Sequence, residues 1–228
     1  MTQDFDHYAD SYGDEVTHSI AFSKQERDFF TRRKADHLLE LSKRLLGDPS
    51  RLSVVDVGCG VGSTDSHLVG RFRQLQGVDT ATETVKRAAT NNPTVRYQSY
   101  DGRSLPLADA SVDLAFAINV VHHVPPAERP AFTQELRRIV RPDGLAVVFE
   151  QNPLNPLTRV AVSRCEFDKG VVLLTQRSLT RLLTGAGLEA VEQRYIIFST
   201  SDRPRFRAIE RSLAWLPFGA QHYVAARR

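Results

Sequence analysis

The sequence predicts a doubly wound α/β domain. Two observations carry that expectation. A valine-rich segment runs into a glycine-rich turn across residues 54–64, and from Ser53 onward short β-branched runs alternate with stretches of helical period. Strands that alternate with helices imply a parallel sheet joined by right-handed crossovers. With 228 residues the chain suffices for one domain with a sizeable core, residues 1–228, and falls short of two. No internal repeat or low-complexity tract interrupts it.

Residues 1–22 are polar and aromatic-rich and show no clear period. Ser23 reads as an N-cap, with Glu26 completing a capping box. The helix it opens should run to about Leu46, with Ala35, Leu38, Leu39, Leu45 and Leu46 as its buried stripe, until Gly47-Asp48-Pro49 stops it. Val54, Val55 and Val57 suit a central strand covered on both faces. Gly58, Gly60 and Gly62 let the backbone bend sharply and approach a ligand where a Cβ would collide. A helix is expected next, its unpaired N–H groups turned toward the bend. Such a turn predicts a nucleotide-like cofactor. Leu75–Asp79 reads as a second strand ending in an acid, which can accept hydrogen bonds from both hydroxyls of a ribose. Val95–Tyr100 alternates as a third strand, closed by Asp101-Gly102. The fourth, Val112–Asn119, runs into Val120-Val121-His122-His123-Val124. Phe132, Leu136, Ile139 and Val140 mark a helix, and Leu145–Glu150 is the fifth strand. Leu179, Leu182, Leu183 and Ala186 mark another helix before Gly187. Leu188–Thr200 and Gln221–Ala226 are read as the last two strands.

Spacing narrows the cofactor. A dinucleotide-binding turn would carry its third glycine at position 63, which is serine. Instead the pattern is Asp56-x-Gly58-x-Gly60-x-Gly62, and a helix leads through Arg141-Pro142-Asp143-Gly144 into the fifth strand. In these motifs the chain resembles the class I S-adenosylmethionine-dependent methyltransferases of small-molecule type, over roughly residues 52 to 150. The resemblance implies a Rossmann-like methyltransferase fold, a seven-stranded and mostly parallel sheet with an antiparallel last strand. It also implies S-adenosylmethionine as cofactor. Gly58, Gly60 and Gly62 would surround the methionine part, with Asp56 supporting the turn. Asp79 would hold the ribose, and Asp101 with Gly102 the adenine; Cys59 and Thr80 complete the expected cofactor-binding set. Asn119 and Val120 would meet the cofactor through backbone atoms beside the sulfonium. The segment Phe5-Asp6-His7-Tyr8-Ala9-Asp10-Ser11-Tyr12 resembles a lead-in whose aromatic residue closes over the cofactor. Tyr12 is the first choice for that role and Tyr8 the second.

This divides the domain into an N-terminal lid segment and helix (1–46), a cofactor-binding core (52–150), and substrate-side loops with C-terminal strands (151–228). Ligands of open α/β sheets lie beyond the carboxyl ends of the strands. The long loops 151–174 and 201–220 leave by that edge and should help wall the acceptor pocket. The expected reaction is methyl transfer to a small-molecule acceptor, oxygen favoured over nitrogen or carbon. One of His122 and His123 is the candidate general base. Neighbouring strand residues face opposite ways, so one of the two should face the acceptor. For either, a packed and hydrogen-bonded histidine is the other reading. Glu150 and Asn152 are further polar groups on that edge. Arg159, Arg164, Arg203, Arg205 and Arg207 would suit an anionic acceptor, or else form a solvated basic face.

Composition removes other classes. A formal charge of +3 and a pI near 9.0 fall below what a dedicated nucleic-acid binder carries. Asn119-Val120-Val121-His122 also lacks the Asp/Asn-Pro-Pro-aromatic motif of base-amino methyltransferases. Nucleic acid is therefore not the expected partner, and an RNA methyltransferase or a non-catalytic cofactor-binding protein stand as alternatives. Only two cysteines occur, Cys59 and Cys165, without C-x-x-C spacing. Neither a metal site nor a disulfide framework is expected, and the compartment should be cytoplasmic. The start, Met1-Thr2-Gln3-Asp4, lacks a signal-peptide layout, and no apolar run approaches the roughly 18 residues of a membrane span. Nothing in the sequence specifies an oligomeric state.

Overall fold

The computed structural model describes residues 24–165, 168–201 and 203–228. The Ser23 cap and the aromatic residues Tyr8 and Tyr12 lie outside the described residues.

Helix α1 (Lys24–Leu45) precedes strands β1 (Ser53–Val57) and β2 (Gln74–Asp79), then helix α2 (Thr82–Asn91). Strands β3 (Arg96–Ser99) and β4 (Val112–Ile118) follow, with helix α3 (Arg129–Ile139) leading into β5 (Val140–Gln151). The remainder is α4 (Pro156–Arg164), α5 (Gln176–Gly185), β6 (Glu189–Ile196), α6 (Pro204–Leu213) and β7 (Gln221–Arg227). The strands form one seven-stranded sheet of order β3-β2-β1-β4-β5-β7-β6. Pairing is parallel from β3 to β5, whereas β7 runs antiparallel to both β5 and β6. The expected sheet, with its antiparallel last strand, is the one observed.

Every residue of β1 is buried, as its valines demand. Alternation sends Val55, Val57, Ala115, Ala117 and Val148 toward Leu136 and Ile139 of α3 and Leu179 and Leu183 of α5. Val54, Leu114, Phe116, Val147 and Phe149 face Phe29, Ala35 and Leu38 of α1 on the other side. These two cores fix the carboxyl edge of β1, β2, β4 and β5, where the chain turns back around a common cavity.

Three expectations require correction. No α-helix follows the glycine turn: a three-residue 3₁₀ turn at Asp65–His67 takes its place. Ser63, Thr64, Asp65 and Ser66 crowd the start, the Ser66 hydroxyl bonds back to the Ser63 carbonyl, and Gly70 breaks the path at a φ of 71°. The stretches 151–174 and 201–220 are not plain loops, because α4 and α6 form inside them. Asn155 caps α4 by accepting from Leu157 and Thr158 N–H, with Pro156 at the first helical position, a start signal present in the sequence. Finally, β6 ends at Ile196, since Ile197 turns left-handed at a φ of 61°. Among the described residues no helix is long and apolar enough to cross a membrane.

Candidate active site

The glycine turn is built by hydrogen bonds from its neighbours on the sheet edge. Gly58 and Cys59 N–H both donate to the Val78 carbonyl, at 2.8 and 3.1 Å. Gly60 N–H donates to Asp79 Oδ2 at 2.8 Å, and Ala81 N–H to Oδ1 at 3.0 Å. The end of α2 grips the far side, where Asn92 donates to the Gly62 carbonyl at 3.0 Å. Gly58, Gly60 and Gly62 have φ values of 81°, 52° and 72°, the region glycine adopts at little cost. A Cβ on Gly58 would also lie 2.4 Å from Val120 Cγ2, so the turns after β1 and β4 touch.

Acids line this turn. Asp56 and Asp65 are both buried beneath it, and Asp79 stands at its edge. Burial pushes the Asp56 carboxyl well up, and the Asp65 and Asp79 charges push it further. Burial likewise raises Asp65 to about 6, against hydrogen bonds from Tyr97 and Asp56. Tyr97 donates its hydroxyl to Asp65 Oδ2 at 2.8 Å. Lys34 of α1 reaches the same space. Desolvation lowers its pKa to about 8, while Asp56 and Glu150 oppose the shift.

The cavity above measures about 1330 Å³, beyond the roughly 300–1,000 Å³ of a single small-ligand site. Its wall includes Asp56, Gly58, Cys59, Gly60, Gly62, Asp79, Thr80, Asp101, Gly102, Asn119, Val120, His122 and His123. The expected cofactor residues within the described chain and both candidate histidines therefore converge on one space. Asp101 Oδ1 caps its own loop by accepting from Arg103 and Ser104 N–H, which holds the carboxyl below its ordinary range. Asn119 is left-handed at a φ of 57°, a strained state for a non-glycine residue, and its side-chain Oδ1 is buried with no hydrogen-bond partner.

That left-handed residue corrects the expectation for the histidines. Strand alternation stops at Ile118, so His122 and His123 sit in a turn rather than on opposite faces. Both rings line the cavity, with centroids 4.2 Å apart. Glu150, at the end of β5 and fully buried, holds His122. Its Oε1 accepts from Val121 N–H at 2.8 Å and its Oε2 takes His122 Nδ1 at 2.5 Å. Asp168 closes the group, its Oδ1 lying 3.5 Å from the Nε2 atoms of both His122 and His123. Burial lowers the His122 pKa, but Glu150 and Asp168 outweigh it and bring it to about 9. Burial and the adjacent His122 lower His123 to about 4.

The remaining candidates lie elsewhere. Asn152 donates to the Pro217 and Gly219 carbonyls and is structural. No described residue of 201–220 lines the cavity, nor do Arg159 and Arg164. Glu210 of α6 is drawn instead into a buried ion pair with Arg33 of α1, and Arg207 pairs with Asp36 at 3.3 Å. Residues 165 and 168–172 line the cavity, together with Val124, Pro125, Pro126, Glu128, Arg129 and Phe132. Lys34, Asp65 and Asp168 were not singled out as site residues, because no local pattern relates them to the glycine turn.

Comparison with known proteins agrees with this fold. Residues 55–148 match the family model described as a methyltransferase domain. A 2-methyl-6-phytyl-1,4-hydroquinone methyltransferase of Synechocystis sp. is 31% identical over 108 residues, 46% of this chain and 33% of that protein. The chain spans only 33–39% of the length of the first curated relatives it matches. Among solved structures, an S-adenosylmethionine-dependent methyltransferase of Thermotoga maritima superposes with a TM-score of 0.68 at 18% identity, covering 100% of this chain and 99% of that one. Magnesium protoporphyrin IX methyltransferase of Synechocystis, solved with bound S-adenosylhomocysteine, gives 0.68 at 16% identity, covering 98% and 96%.

Proposed function

We propose, on the match of residues 55–148 to a methyltransferase-domain family model, that the chain is a class I S-adenosylmethionine-dependent methyltransferase and transfers a methyl group from S-adenosylmethionine to an oxygen of a small molecule. The observation that carries the donor assignment is the charge of the turn. A pyrophosphate would meet three acids, Asp56, Asp65 and Asp79, and no α-helix opening directly from the glycine turn to offset them. A ligand bearing a sulfonium and an ammonium instead relieves the repulsion among those carboxylates. The left-handed glycines let such a ligand lie against bare backbone, and the unpartnered Asn119 Oδ1 offers an acceptor beside it. These features fit the donor.

When bound, the donor supplies an electrophilic methyl group on positively charged sulfur. Asp79 hydrogen-bonds the ribose hydroxyls with the lone pairs its two backbone bonds leave over. Lys34 pairs with the amino-acid carboxylate, while Asp56 and Asp65 face the ammonium. Asp101 and Gly102 border the adenine. The acceptor would occupy the side of the cavity walled by His122, His123 and residues 168–172, where holding it in line with the methyl group is the positioning the reaction needs. One of His122 and His123 would take the proton of the acceptor hydroxyl as that oxygen receives the methyl group. Glu150 fixes the ring of His122. A quinol of the kind named for the Synechocystis relative is a fitting acceptor class.

Calorimetry tests the donor directly. S-adenosylmethionine and S-adenosylhomocysteine are expected to bind one per chain and NAD not at all; heat with NAD alone would overturn the assignment. A panel of phenols, quinols and hydroxy acids, with mass spectrometry reading the methylated product, tests the acceptor. Donor binding without turnover on any oxygen, nitrogen or carbon acceptor would favour the non-catalytic alternative.

A further inference from the structure

His122, His123 and Asp168 each aim one ligand atom into the acceptor side of the cavity, and these atoms all lie within 4.8 Å of one another. The carboxylate–imidazole separations, 3.5 Å in both cases, are too long for strong hydrogen bonds. They are close to the edges of a coordination shell: ligands about 2.0–2.1 Å from a tetrahedral ion stand about 3.3 Å apart. His122 Nε2 is buried, and its polar neighbour is Asp168 Oδ1 at 3.5 Å, beyond the length of a well-formed hydrogen bond.

The groups behind these ligands are arranged as metal sites arrange them. Glu150 Oε2 takes His122 Nδ1 at 2.5 Å, so Nε2 is the ring nitrogen left to face the cavity. Gln151 Nε2 donates to Asp168 Oδ2 at 3.2 Å, and the Cys165 thiol hydrogen-bonds the same carboxylate. Asp168 Oδ1 is thereby turned toward the imidazoles. Carboxylate–histidine–metal relays and hydrogen-bonded ligating carboxylates are what orient first ligands and tune their basicity. Both orienting residues, Glu150 and Gln151, end the same strand, β5.

We propose that His122, His123 and Asp168 form a binding site for one divalent transition-metal ion of the zinc class, open toward the acceptor. Two imidazoles and one carboxylate favour zinc, cobalt, manganese or iron over magnesium and calcium, which prefer all-oxygen shells. Three protein ligands leave at least one position for the acceptor oxygen. The catalytic consequence rests on the methyl-transfer reading; ion binding does not. A coordinated hydroxyl loses its proton to water at a lower pH, so the ion takes over the task of an imidazole base. The anionic oxygen then bonds to the methyl carbon as the carbon–sulfur pair returns to sulfur, with no further reactant consumed.

The test uses the full chain stripped of metal by a chelator. Zn²⁺ is titrated by calorimetry and Co²⁺ by visible absorption. One ion per chain is expected, with the strong visible bands of four-coordinate cobalt. His123→Gln and Asp168→Asn should each weaken binding by more than tenfold, and Glu150→Gln by about 10–100-fold, the range for residues that orient a metal ligand. Circular dichroism establishes that each variant folds, and should Asp168→Asn not fold, His123→Gln decides alone. Absence of stoichiometric binding, or binding that a folded His123→Gln leaves at wild-type strength, overturns the site. S-adenosylmethionine is titrated into the same preparations. Its failure to bind would undo the methyl-donor reading while leaving the ion count standing.

Discussion

Gly58 shows how single positions carry the site. A side chain there is strained at a φ of 81° and would meet Val120 within 2.4 Å. Gly58→Ala should cost about 1–3 kcal/mol in urea unfolding and displace Val120 from the cavity wall. Asp79→Ala removes an ionised acceptor and should weaken S-adenosylmethionine by about 1.5–3 kcal/mol in calorimetry; unchanged affinity would remove the ribose assignment. His122→Ala and His123→Ala should each lower turnover, and full activity in both would end any role for the pair in taking the acceptor proton. The roles of Gly58 and Asp79 are legible in the sequence because chain neighbours create them, a bend and a strand end. Asp168 is not. Its meaning depends on a carboxylate arriving beside two imidazoles from a distant segment, and no spacing rule encodes that approach.

Elements follow the same division. Strands β1, β2 and β4 and helix α3 announce themselves through periodic apolar residues that two cores then bury. The helix expected after Gly62 does not form, because short polar side chains there bond their own backbone. Helices α4 and α6, hidden inside stretches read as loops, open at Asn155-Pro156 and Arg203-Pro204. What α6 is for emerges only from its partner. Arg33 and Glu210 are 5% and 9% exposed, and Glu210 Oε1 also accepts from Phe198 and Ser199 N–H. This clasp ties the segment after β6 to α1, whose other face reaches the cavity through Lys34. Glu210→Ala should destabilise the protein by about 3–5 kcal/mol in denaturant unfolding, since the Arg33 charge stays buried and alone. Replacing both residues by methionine should recover much of that loss; failure to recover would mean that the contacts of Glu210 with the 198–199 backbone dominate.

At the scale of the whole molecule, buried charge makes stability depend on pH. An unfolded aspartate titrates near its ordinary 3.8, while Asp65 in the fold titrates at about 6. Its protonated form is favoured by folding, so its contribution is complete below about pH 4 and is lost as pH rises through about 6. Asp65→Asn, neutral throughout, should therefore gain on wild type in urea unfolding as pH climbs from 4 to 7. A constant difference across that range would refute the shift. A cationic donor favours the ionised form of the buried carboxylate, so the rise in melting temperature caused by S-adenosylmethionine should be larger above pH 6 than below it.

By itself the sequence determined the sheet, the glycine turn and which residues at the edges of β1, β2, β3 and β4 line the cavity. Period and turn chemistry act between residues close in the chain, so they can be read there. Only the tertiary structure decided that both histidines share one cavity, that Glu150 and Asp168 grip them, that Lys34 reaches the acids beneath the turn, and that residues 201–220 clasp α1 instead of walling the acceptor. Each of those outcomes depends on charges buried together by segments far apart in the chain, and the cost of leaving such a charge unpaired appears only once the fold has excluded water.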